Sequence, residues 1–144
     1  MTINEPSDIK DYFAGKVDLK RLACPHCNAN KMRRHFMDRV NLARHYAKVA
    51  FVVNSGYRCL IYNKSLKSKK TSSHIKGLGM DVKCTDWWKT FMIIKGLYKA
   101  GIRRIRLYIV ITKLGKIKPR HIHFDYDLTK PQDTFSVATY KKVA

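Results

Sequence analysis

Acidic residues are scarce in this chain of 144 residues. Only 10 aspartates and glutamates stand against 30 lysines and arginines, which gives a formal charge of +20 at pH 7. A charge of this size attracts anionic partners and speeds association with them. Nucleic acid and an anionic cell envelope are both such partners, and a soluble basic surface that repels its own copies is a third interpretation. Charge alone leaves all three open.

Long apolar runs are also missing. The longest, "VAFVV" and "LYIVI", fall far short of the about 20 residues that a membrane-spanning helix needs. The N-terminal "MTINEPSDIKDYF" lacks the basic and apolar regions of a signal peptide. We therefore expect synthesis and initial retention in the cytoplasm, where four cysteines do not form a secreted disulfide framework.

No repeat or low-complexity linker divides the sequence. A chain of this length predicts one domain over residues 1–144. Ser7 can cap a short helix over residues 8–14. A longer helix is predicted within residues 31–47, because apolar residues recur there at steps of three and four. These residues are Met32, Phe36, Val40, Ala43 and Ala47.

Thr85 or Asp86 can cap a further helix that ends at Gly101. The apolar face predicted for it carries Trp87, Phe91, Ile94 and Tyr98. We expect Trp87 and the adjacent Trp88 to belong to the core rather than to a ligand platform.

Four segments have the apolar character of strands, namely residues 50–57, 77–84, 103–111 and 120–127. In the last of them His121, His123 and Asp125 alternate with apolar residues, which puts the three polar side chains on one face. Strands without long crossovers favour an α+β fold with a mostly antiparallel sheet flanked by helices.

The stretch "SSHIKGLGMD", residues 72–81, contains candidate metal ligands. Glycines at positions 77 and 79 let the chain bend after His74 and return Asp81 on an adjoining strand. A catalytic zinc site uses three protein ligands from histidine, cysteine and carboxylate groups. The histidine-bearing face of "HIHFD" is the obvious third donor, and a solvated turn in a basic loop is the alternative.

The stretches "NSGYRC", a loop containing Asn63, "SSHIKGLGMD" and "HIHFD" resemble the M15 family of zinc D-Ala-D-Ala carboxypeptidases and phage endolysin peptidases. The family pattern is SGYR, then S-x-H-x-x-G-x-A-x-D, then a late H-x-D. Matching positions are Ser72, His74, Gly77, Asp81, His123 and Asp125, while Gly79 replaces the alanine. The resemblance implies a hedgehog-like zinc fold and a zinc metallopeptidase of the carboxypeptidase or endopeptidase type.

By this resemblance His74, Asp81 and His123 would hold Zn²⁺. Arg58 would bind the substrate carbonyl and stabilise the negative charge that develops on it. Ser72 would hydrogen-bond the substrate peptide or its terminal carboxylate. The implied substrates are stem peptides or cross-bridges of bacterial peptidoglycan. The resemblance to phage forms implies a lysis enzyme made in the cytoplasm of an infected bacterium that acts on the wall after release.

The general base is where the sequence departs from many family members. These have an acidic residue three positions before the last histidine ligand, but here Arg120 occupies that position. His121 is the first candidate for a substitute and Asp125 the second, although Asp125 can instead orient a neighbouring histidine. The departure supports a competing hypothesis, a catalytically inactive zinc-bearing module that binds anionic wall or nucleic acid.

The "CPHC" pair, Cys24 and Cys27, lacks a second close pair that would complete a structural zinc site. We favour reduced cysteines near a helix start, and a combination of ligands from across the fold stays open. The basic clusters suit anionic wall polymers better than nucleic acid, since no reading helix or aromatic platform is evident.

Overall fold

The computed structural model describes residues 19–140. Its helices are α1 (Leu19–Leu22), α2 (Arg34–Ala47), α3 (Leu60–Ser65) and α4 (Trp87–Lys99). Its strands are β1 (Val52–Ser55), β2 (Gly79–Lys83), β3 (Arg104–Ile111), β4 (Ile117–Asp125) and β5 (Thr134–Thr139). The helix predicted over residues 8–14 lies outside the described residues. Within them, no helix is long and apolar enough to cross a membrane.

The five strands form one sheet in the order β1-β2-β4-β3-β5. All neighbours are antiparallel except β3 and β5, which are parallel. The predicted α+β fold with a mostly antiparallel sheet is therefore confirmed. Helix α3 and strand β5 were not predicted. The six residues of α3 are too few for an apolar period, and β5 buries neither face completely.

Helix α2 buries the predicted apolar positions. Phe36, Val40, Ala43 and Ala47 are fully buried, as is Met32 just before the helix. Phe36 packs against Phe124 of β4, with ring centroids 6.0 Å apart. The helix thus covers the core side of the sheet.

Helix α4 begins as predicted, because the Asp86 side chain accepts a hydrogen bond from the backbone N–H of Lys89 at 2.8 Å. The face that it buries was predicted wrongly. Trp87 and Trp88 are 49% and 67% exposed, and the buried residues of the helix are Thr90, Ile93, Gly96 and Leu97.

The close approach of α2 to α4 explains which face of α4 is buried. A Cβ atom on Gly96 would lie 2.4 Å from the carbonyl oxygen of Ala43, so only glycine allows this contact. The sequence "WWKTFMIIKGLYK" has apolar residues all round the helix, and its periodicity alone therefore cannot select a face. Because Trp87 and Trp88 are exposed, burial in the core no longer argues against their use as an aromatic platform for a ligand.

The chain bends between His74 and β2 at Gly77, as the glycines predicted. Gly77 has a φ of +69°, and an added Cβ would lie 1.9 Å from the carbonyl oxygen of Lys31. Strand β2 then runs antiparallel to β4 with Asp81 directly opposite His123. The bend and the strand pairing together bring the two halves of the candidate site into contact.

We predict that Gly77→Ala lowers the free energy of unfolding by at least about 2 kcal/mol, since the new side chain adds a backbone clash to an unfavourable left-handed conformation. Gly115→Ala is the matched control, because its φ is +80° and no atom lies within 4 Å of its added Cβ. It should cost only the conformational part, about 1–2 kcal/mol. Urea unfolding of both variants measures the difference, and equal losses would contradict the clash.

Candidate active site

His74, Asp81 and His123 converge on one point, and we call them the His–Asp–His cluster. His74 Nε2 lies 3.4 Å from Asp81 Oδ1, and His123 Nδ1 lies 2.8 Å from the same oxygen. The three candidate ligand atoms are all within 4.8 Å of one another. His74 and Asp81 are buried, and His123 is partly exposed. Two imidazoles and a carboxylate in this arrangement are a donor set that suits Zn²⁺.

Each histidine of the cluster is held by its far nitrogen. His74 Nδ1 lies 2.7 Å from the carbonyl oxygen of Gly56 and must donate to it, which leaves Nε2 facing Asp81. His123 Nε2 lies 3.1 Å from Asp125 Oδ2, which leaves Nδ1 facing Asp81. Metal-binding histidines are typically oriented by such partners.

The electrostatics keep the Asp81 carboxylate ionised. Burial raises the pKa of Asp81, but the charge of His74 and hydrogen bonds with both histidines hold it well below its usual range. Burial lowers the pKa of His123, and hydrogen bonds with Asp125 and Asp81 outweigh this and raise it to about 9. Burial lowers the pKa of His74. The cluster therefore pairs an ionised carboxylate with a protonated histidine, whose proton a bound cation can replace.

Arg58 lies beside the cluster and contacts its central carboxylate, Asp81. Its Nη2 is 3.1 Å from Asp81 Oδ2, and its Nε donates to Ser55 Oγ at 3.1 Å. Ser72 Oγ accepts a hydrogen bond from the backbone N–H of His74 at 3.3 Å. Both residues predicted to bind substrate thus have a role in shaping the site.

Arg120 forms a β-bulge next to the cluster. Tyr108 of β3 faces His121 while Ile109 faces Pro119, so Arg120 is the extra residue on β4. A bulge changes the direction of its side chain, and Arg120 Nη1 reaches His121 Nδ1 at 3.0 Å.

His121 is buried in an aromatic environment. Its ring stacks on Tyr108 with centroids 4.4 Å apart and meets Tyr140 edge to face at 5.6 Å. Burial lowers the pKa of His121 below its usual value. The imidazole is therefore neutral at pH 7.

Asp125 is buried with both carboxylate oxygens engaged. Its Oδ2 contacts His123 and accepts from Arg104 Nε at 3.2 Å, and its Oδ1 accepts from the backbone N–H of Asp127 at 3.3 Å. Burial raises the pKa of Asp125, but its bond and charge interaction with His123 lower it overall. This arrangement favours orientation of His123 over proton acceptance from a substrate.

The sequence analysis did not identify the third member of a cysteine cluster. Cys59 lies with Cys24 and Cys27, and their sulfur atoms are within 4.8 Å of one another. Burial raises the pKa of Cys24, but backbone hydrogen bonds from Cys59, Cys27 and His26 outweigh it and lower the pKa to about 7. All three thiols are free. The sequence placed Cys59 directly after Arg58, a predicted site residue, but gave no indication that it lies near Cys24 and Cys27.

One comparison with known proteins gives a match. The family model for Peptidase M15 matches residues 18–111, which is more than half of the chain and includes His74 and Asp81. No curated protein and no solved structure matches the chain. His123 lies beyond the matched residues, and its contact with Asp81 is what joins it to the site. The chain belongs to the peptidase M15 family.

Proposed function

We propose that this peptidase depends on zinc and hydrolyses peptide bonds in the stem peptides or cross-bridges of bacterial peptidoglycan. The observation that carries the proposal is the convergence of His74 Nε2, Asp81 Oδ1 and His123 Nδ1, each facing the others with its remaining atoms held by neighbours. Family membership supports peptide hydrolysis as the reaction. The resemblance to phage endolysin peptidases supports a role in lysis.

The His–Asp–His cluster would hold the zinc ion. When bound, zinc supplies Lewis-acid chemistry, since it activates water and polarises a carbonyl group. Asp81 stays anionic for this purpose because Arg58 and both histidines stabilise its charge. Asp125 and the Gly56 carbonyl orient the two imidazoles.

Arg58 is our candidate for contact with the substrate carbonyl. A guanidinium has five N–H donors, and its bonds to Asp81 and Ser55 leave donors for a developing oxyanion. Because the bond to Asp81 fixes the plane of the guanidinium, Arg58 would be ordered before the substrate arrives. Ser72 would act next to it, at the turn that carries His74.

His121 is our candidate either for a hydrogen-bond donor to the substrate or for the general base. Because Arg120 donates to Nδ1, the neutral ring carries its hydrogen on Nε2. In this arrangement His121 donates to substrate oxygen, and it becomes a base only when Arg120 turns away. The two roles are distinguished by substitution.

The central test is cleavage of defined muropeptides by the zinc-loaded protein, followed by mass spectrometry. We expect cleaved stem peptides or cross-bridges, no cleavage by His74→Ala, and one zinc ion fewer per chain in that variant. An unchanged zinc content in folded His74→Ala would contradict the ligand assignment. Absence of cleavage by the folded, fully loaded protein would favour the binding module. Salt-dependent retention on DNA in both proteins would identify nucleic acid as its partner.

We predict that Asp125→Asn weakens zinc affinity or activity by about 10–100-fold, because His123 loses the carboxylate that orients it. Asp127→Asn is the control, since it removes the same charge from a carboxylate that binds Lys76 and Thr129 instead. Competition with a chromogenic chelator measures the affinity. Unchanged zinc affinity combined with lost turnover would instead identify Asp125 as the base.

We predict that His121→Ala lowers kcat/KM by about 10²–10⁴-fold. His121→Gln supplies an N–H donor but cannot act as a base, so it should retain more activity than alanine when His121 donates. Equal loss in both variants would indicate the base role. Zinc content, measured in parallel, should stay at the wild-type value in both.

A further inference from the structure

We infer that the chain holds a second zinc ion, a structural one, in a site formed by Cys24, Cys27 and Cys59 with His26 as the fourth ligand. The three sulfur atoms lie within 4.8 Å of one another, and His26 Nδ1 lies 3.5 Å from Cys59 Sγ. Three cysteines and one histidine are a ligand set of closed, structural zinc sites.

The three sulfur atoms can share one ion, and the His26 ring would turn toward Cys24 and Cys27 to complete a tetrahedron, because its nitrogens do not lie within 4.8 Å of all three sulfur atoms. Zinc binds thiolate sulfur at about 2.3 Å and imidazole nitrogen at about 2.0–2.1 Å, which puts ligand sulfur and nitrogen about 3.6 Å apart. The observed separation of 3.5 Å between His26 Nδ1 and Cys59 Sγ agrees with this value. A single disulfide would leave the third thiol unpaired, whereas one ion uses all three.

The local backbone is arranged around the sulfur atoms. Residues 25–27 form a turn, and the backbone N–H of Asn28 donates to the Cys24 carbonyl at 2.8 Å. The N–H of Cys59 lies 3.3 Å from Cys24 Sγ, and that of Tyr62 lies 3.4 Å from Cys59 Sγ. Amide donors of this kind stabilise thiolates, the form that binds a metal.

The second site adjoins the active site through residues 56–59. Gly56 accepts from His74, Arg58 binds Asp81, and Cys59 belongs to the cysteine cluster. The N–H of Tyr57 also donates to the Leu22 carbonyl at 2.9 Å. A zinc ion would therefore tie the segment after α1 to the residues that position Arg58. Only this effect on activity rests on the proposed function, because the ion itself would bind without it.

Metal analysis of the protein purified with a thiol-free reductant tests the site. We expect two zinc ions per chain in the wild type and one in Cys27→Ser, whose exposed side chain makes it the mildest cysteine replacement. Cys84→Ser is the matched control, because this buried thiol lies beside Thr90 outside the cluster, and it should keep both ions. Equal zinc content in Cys27→Ser and Cys84→Ser would overturn the inference.

Cobalt substitution tests the site without a cysteine variant. It therefore remains informative if Cys27→Ser fails to fold. Thiolate-to-cobalt charge-transfer absorption should appear in the wild type and persist in His74→Ala, which keeps only the cysteine cluster. Its absence in both would overturn the site, and so would a disulfide among the three cysteines with one zinc ion per chain. His26→Ala should hold the ion more weakly against a chelator, and unchanged retention would overturn the assignment of the fourth ligand.

Cleavage assays separate this inference from the proposed function. We expect Cys27→Ser to keep zinc at the His–Asp–His cluster and to cut muropeptides more slowly, since Arg58 is less well positioned. A wild type that binds two zinc ions but cuts nothing would refute the proposed function alone. A wild type that cuts muropeptides with one zinc ion would refute the second site alone.

Discussion

The pairing of β2 with β4 is the constraint on which the site depends. It places Asp81 opposite His123, so that one carboxylate oxygen lies 2.8 Å from His123 Nδ1 and 3.4 Å from His74 Nε2. A shift of one residue in either strand would turn one of these side chains to the core face. The apolar neighbours Val82, Ile122 and Phe124, all buried, oppose such a shift.

A buried carboxylate at the centre of this sheet requires compensation, because an ionised group loses its hydration there. Asp81 obtains it from Arg58 and from the two histidines. Asp125 is compensated in the same way by Arg104 and His123. The candidate site is thus a chain of alternating charges that runs from Arg58 through Asp81, His123 and Asp125 to Arg104 on β3. Removal of one member leaves its neighbour buried without a partner.

Much of the fold followed from local patterns in the sequence. The steps of three and four in α2, the Asp86 cap of α4 and the alternation in β4 all reflect contacts within a few residues, and the structure agrees with each. The exposed tryptophans show the limit of such patterns. Helix α4 is apolar all round, and the face that it buries depends on the approach of α2 to Gly96. That approach involves residues about 50 positions apart.

By itself the sequence determined the chemistry that the chain can offer: the donor set of His74, Asp81 and His123, the glycine bend between them, and the excess of positive charge. Tertiary structure alone decided which nitrogen of each histidine faces Asp81, that Arg120 reaches His121 through a β-bulge, and that Cys59 joins Cys24 and Cys27. The physical reason is the separation along the chain of the residues that interact. Residue types and short periods are properties of neighbours in the chain, whereas hydrogen-bond partners and metal geometry arise between segments that only folding brings together.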